Sequence, residues 1–132
     1  MVETIDPDDV YDAGALGFAQ ARREHGTLFV SGQVAVDADR TVVGTDVETQ
    51  ARQAFDNLEA VLAAAGEGLD GVGKVTTYVV DLAEHVDGYR PVWWETFDEP
   101  YPCQTLIGVD QLSPFADDEL LIEIDAEVSL DG

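Results

Sequence analysis

Along the chain, the mixed apolar and polar stretches 18–24 and 27–36 read as two extended segments joined around His25-Gly26 in a tight hairpin. The first is FAQARRE and the second TLFVSGQVAV, with a glycine-containing turn, SGQ, at 31–33. The period then changes. Val47, Ala51, Ala54, Phe55, Leu58, Val61, Leu62 and Ala65 recur at helical spacing, and Thr45 with Glu48 forms a T-x-x-E capping box that opens this helix. Gly66 is expected to end it. The run VGKVTTYVVDL is rich in β-branched residues and reads as a central strand. A second helix follows, with Val86, Tyr89, Trp93 and Phe97 on one stripe. Its regular part is expected to begin near Pro91, because a missing N–H does least harm at a helix start. Trp93 and Trp94 read as core and interface anchors.

The last third supplies two more strands, CQTLIGV and LLIEIDAEV, separated by the loop DQLSPFADDE. In the final strand Leu120, Ile122, Ile124, Ala126 and Val128 share one face and Leu121, Glu123, Asp125 and Glu127 the other. The order β-β-α-β-α-β-β predicts an α+β sandwich: a mixed sheet with both helices on one face. Two helices cover one side only, so a partner subunit is the simplest cover for the other, and a homo-oligomer is expected.

Composition narrows the picture. The 132 residues suit a single domain spanning 1–132, and 45% hydrophobic content is enough for a core. Against 28 Asp and Glu stand 6 Lys and Arg, for a formal charge of −22. Carboxylates occur from Glu3 to Asp131, a spread that suits a salt-rich cytoplasm better than one basic partner, which would favour a block. No Lys/Arg cluster offers itself to phosphates, so nucleic acid is a poor partner. The acidic start MVETIDPDDVYD and the lack of a long apolar run lead to the expectation of a cytoplasmic chain without membrane contact.

High-specificity motifs for nucleotides, acyl transfer or metals are absent from the sequence. His25 reads as a solvent-exposed turn residue, and with His85 as the only other histidine no metal site is expected. The single cysteine, Cys103, reads as a structural thiol. Glu123 is a carboxylate on a strand otherwise rich in apolar residues, a type of group that can act as a general base toward water.

The ordered segments GFAQAR, FVSGQVAVD, ETQARQAFDNLEAVLAAAG, VGKVTTYVVDL, YPCQT and LLIEIDAEV resemble the reactive intermediate deaminase (Rid) family, also known as L-PSP endoribonucleases, over about residues 14–128. The resemblance implies a chorismate-mutase-like fold and a homotrimer with small-molecule clefts between subunits. It further implies cofactor-free hydrolysis of enamine/imine intermediates such as 2-aminoacrylate. Carried onto this sequence, it implies that Glu123 positions the attacking water and that Gly32 is the glycine of the SGQ motif. Phe18 stands where a first-strand tyrosine is common, and Thr105 helps orient substrate. The family's carboxylate-binding arginine falls on Gln104, within Pro102-Cys103-Gln104-Thr105. Glutamine brings a donor and an acceptor but no charge, so a neutral imine or carbonyl compound suits the cleft better than an imino acid. A non-catalytic metabolite-binding trimer is the alternative. A ribonuclease reading is disfavoured, because so acidic a chain repels RNA.

Overall fold

The structure is a computed structural model and describes residues 2–113 and 119–130. Its strands are β1 (Glu3–Ile5), β2 (Ala21–Glu24), β3 (Thr27–Val34), β4 (Val72–Val80), β5 (Cys103–Val109) and β6 (Ile122–Ser129), with helices α1 (Val47–Ala64) and α2 (Leu82–Thr96). They form one sheet in the order β1-β2-β3-β6-β4-β5. The β4–β5 pair is parallel and the other pairs are antiparallel. This is the α+β, mixed-sheet arrangement expected from the sequence, with one strand more. The loop expected over 110–119 lies partly outside the described residues.

The hairpin forms where two residues of positive φ, His25 at 53° and Gly26 at 76°, link β2 to β3. Such a pair of left-handed residues matches the right-handed twist of the flanking strands. His25 stands in solvent, as expected of a turn residue.

All eight residues of the stripe predicted for α1 are buried. Its N-cap, however, is Asp46 and not Thr45: the Asp46 carboxylate accepts from Thr49 N at 2.7 Å. The nearer carboxylate thus displaces the expected capping box by one residue. At the other end Gly66, at φ +78°, lets Glu67 N reach Leu62 O at 2.8 Å and Gly66 N reach Ala63 O at 3.0 Å, which closes the helix as expected. Arg23 adds a donor to the last turn, 2.7 Å from Ala65 O, where the helix dipole favours a cation.

The second helix departs further from expectation. It starts at Leu82, nine residues before Pro91, which therefore lies inside it. Proline withholds one N–H from the carbonyl four residues back, on Asp87. Both residues are exposed, so that carbonyl is open to water and the helix continues. Tyr89, Trp93 and Phe97 are buried as the stripe predicts and stack around Phe55 of α1, while Val86 is half-buried. Trp94 is 65% exposed and anchors nothing within the chain.

In β6 the alternation is as read: Ile122, Ile124, Ala126 and Val128 are buried beneath the helices, and Leu121, Glu123 and Asp125 are only partly covered. Strand β1 was not legible in the acidic N-terminal run; it pairs with β2 and buries Ile5. Phe18 lies ahead of β2, just past the short helical turn Gly14–Leu16, and not on a strand. Nor is SGQ a turn. It lies within β3, and the register against β6 shifts between Val30 and Gln33, a bulge-type irregularity.

Candidate functional site

The bulge in β3 brings Gly32 against Glu123. A Cβ at position 32 would come within 2.4 Å of Glu123 Oε2, so a larger residue there would push this carboxylate from its place. Glu123 and Gly32 line a cavity of about 390 Å³ together with Tyr11, Leu16, Phe18 and Val34. The glycine and the glutamate expected to act together are thus brought together, and Phe18 joins them from its loop.

Burial raises the Glu123 carboxyl above its ordinary range, and the charge of Asp125, two residues along the same face, adds to the rise. No lysine or arginine pairs with Glu123 among the described residues. The group can therefore hold or release a proton closer to neutrality than an exposed glutamate.

Tyr11 is the residue that sequence reasoning missed. It is 2% exposed, touches Phe18 edge-on with ring centroids 6.4 Å apart, and shares the cavity with Glu123. Its hydroxyl is pushed up to about 12, first by burial and then by the Glu123 charge. Two buried glutamines brace this corner: Gln33 Nε2 donates to Gln20 Oε1 at 2.8 Å, and Gln20 Nε2 to Tyr11 O at 2.9 Å. One tyrosine in an acidic run carries no pattern that would have flagged it.

Gln104 and Thr105 lie elsewhere. Gln104 is in register with Val75 of β4 and Glu123 with Tyr78, three positions along, so their side chains leave the sheet on opposite faces. Gln104 Oε1 lies 2.5 Å from Tyr89 Oη and 3.2 Å from Thr77 Oγ1, both on the helix-covered side. Thr105 faces the open side, where Lys74 Nζ donates to its hydroxyl. Cys103 is exposed at the start of β5 and is not a packed structural thiol. Of the arginines able to supply a missing charge, Arg22 pairs with Glu24, Arg52 with Glu48 and Glu95, and Arg90 lies 3.9 Å from Asp87.

Among the described residues no group of three or more His, Cys, Asp or Glu is placed to hold a metal ion, and no helix is long and apolar enough to cross a membrane.

The model of the family described as Endoribonuclease L-PSP matches residues 12–129, nearly the whole chain. The chain belongs to this family, the Rid proteins. Among curated relatives, the RutC family protein y4sK of Sinorhizobium fredii is 35% identical over 132 residues, covering 98% of this chain and 99% of its own. The RutC family protein YjgH of Escherichia coli is 40% identical over 99 residues, covering 74% and 75%. The crystal structure of RidA from an Antarctic Psychrobacter superimposes with a TM-score of 0.84 at 27% identity, covering 96% of this chain and 98% of that one. The Rid fold, a chorismate-mutase-like α+β sandwich, is therefore the fold of this chain.

Proposed function

We propose that this Rid protein is a cofactor-independent hydrolase of small enamine or imine metabolites, releasing ammonia and a carbonyl compound. The observation that carries the proposal is the Glu123 carboxyl: half-buried, raised by that burial, unpaired with any described cation, and facing a cavity that Gly32 keeps open. A carboxylate so placed takes a proton from water as the water adds to the imine carbon. The resulting carbinolamine accepts a proton on nitrogen and loses ammonia as the carbonyl forms. Because these imines hydrolyse unaided, holding the water and the imine in contact is most of what is required.

The opposite orientations of Glu123 and Gln104 support a cleft shared between copies, with Glu123, Gly32 and Phe18 from one copy and Gln104 from its neighbour. The homotrimer implied by the family resemblance supplies such a neighbour. Part of the open sheet face that it would cover is apolar: Phe29 is 46% and Ile107 37% exposed.

The absence of a fixed charge at Gln104 favours a second reading, a trimer that binds a small metabolite without turning it over. The two part on one assay: ammonia release from imines generated in situ, in about 2 M KCl to screen the acidic surface. The hydrolase reading expects release by wild type and its loss in Glu123→Gln, with the oligomer unchanged. Ligand-induced thermal stabilisation of wild type without ammonia would replace it with the binding reading.

A further inference from the structure

The two ends of the Gln104 amide meet different surroundings. Its oxygen rests on Tyr89 Oη and Thr77 Oγ1, which are themselves 2.9 Å apart, and these two residues are 1% and 0% exposed. Gln104 as a residue is exposed, and the hydrogen bonds its amide makes to described residues run through its oxygen.

The direction of the amide follows from proton accounting. The two hydroxyls bring two protons that need acceptors, and among the described residues neither has one other than the third members of this cluster. With the amide oxygen inward, Tyr89 and Thr77 both donate to it and both protons are placed. With the amide reversed, its N–H groups would occupy the hydroxyl oxygens. Tyr89 could then give its proton only to Thr77, and the Thr77 proton would be stranded in buried surroundings. An unpaired buried donor costs more than a made hydrogen bond gains, which decides the orientation.

We infer that Thr77 and Tyr89 are positioning residues that hold Gln104 with its oxygen inward and its NH2 group outward. This end of the cleft thereby becomes a donor-only contact that selects substrates carrying an uncharged carbonyl-type oxygen. The inference rests on the proposed reading only in placing Gln104 in the ligand cleft. A carboxylate would gain hydrogen bonds there but no opposite charge, and would have to approach a chain of net charge −22. A ketone, amide or ester oxygen needs no counter-charge. A ligand ammonium would meet donors with donors and be refused.

The test compares binding of pyruvamide and pyruvate, near-isosteric probes that differ in charge, by calorimetry in about 2 M KCl. Wild type is expected to favour pyruvamide by on the order of tenfold. Gln104→Glu keeps an inward oxygen but turns an acceptor outward, and is expected to lose pyruvamide binding by a similar factor. Tyr89→Phe and Thr77→Val each delete one hydroxyl at nearly constant volume and free the amide to rotate. Each is expected to shrink the preference by about two- to tenfold with unchanged circular dichroism, a selectivity change that a purely structural role would not produce. Equal binding of the two probes by wild type, unaltered pyruvamide binding by Gln104→Glu, or full preference in both hydroxyl variants would overturn the inference. If the preference is seen while no imine is hydrolysed, the inference stands and the hydrolase reading fails. Glu123-dependent hydrolysis without the preference gives the reverse.

Discussion

Glu123 shows how far one residue can be read before its neighbours are known. Its place on the polar side of an alternating strand was legible, and so was its partnership with Gly32 through the family resemblance. The contact itself was not, because it depends on a register shift in β3 that no local pattern announces. Tyr11 was illegible for a similar reason: it reaches the cavity through tertiary packing alone. The raised Glu123 carboxyl has a stability consequence with a definite sign. In the unfolded chain the group ionises at about 4.3, and in the folded protein at a higher pH because burial favours the neutral form. Below the unfolded value both states are protonated and burial of the group carries no charge penalty. As pH rises through the folded value, that advantage is lost. Glu123→Gln, a neutral mimic, should therefore unfold at higher urea than wild type at pH 7 to 8 and at the same urea near pH 3, as read from denaturation midpoints. A variant less stable than wild type at both pH values would contradict the assigned burial.

At the scale of elements, period and punctuation carried most of the fold. The eight-residue stripe of α1 and its Gly66 stop were legible because each depends on contacts within a few residues. Three departures have physical causes. Asp46 lies nearer than Thr45 to the first free N–H groups. The proline in α2 withholds its hydrogen bond on an exposed side, where water can replace it. Strand β1 owes its existence to pairing with β2, whose partner residues lie 16 to 20 positions along the chain, and not to its own three residues. The cap is open to test: Asp46→Ala should lower the urea midpoint at constant slope. Thr45→Ala should cost less, and a larger loss there would restore the capping box as first read.

At the scale of the whole molecule two properties govern behaviour, the net charge of −22 and the bare sheet face. Dispersed carboxylates repel one another in dilute buffer, and at about 1 M salt screening over roughly 3 Å removes most of that cost. The urea midpoint is therefore expected to rise with KCl; a midpoint indifferent to KCl would argue against adaptation to a salt-rich interior. The central claim is that Glu123 of one copy and Gln104 of another build one hydrolytic cleft, and complementation tests it most directly. Glu123→Gln is expected to be inactive when pure and Gln104→Glu strongly impaired, since every cleft then has one function lost or weakened. Unfolded together and reassembled at equal amounts in high KCl, they should regain about a quarter of wild-type ammonia release, the share of clefts in a cyclic oligomer that draw an intact residue from each side. A mixture that reassembles to the same size yet stays inactive would contradict a catalytic cleft shared between copies.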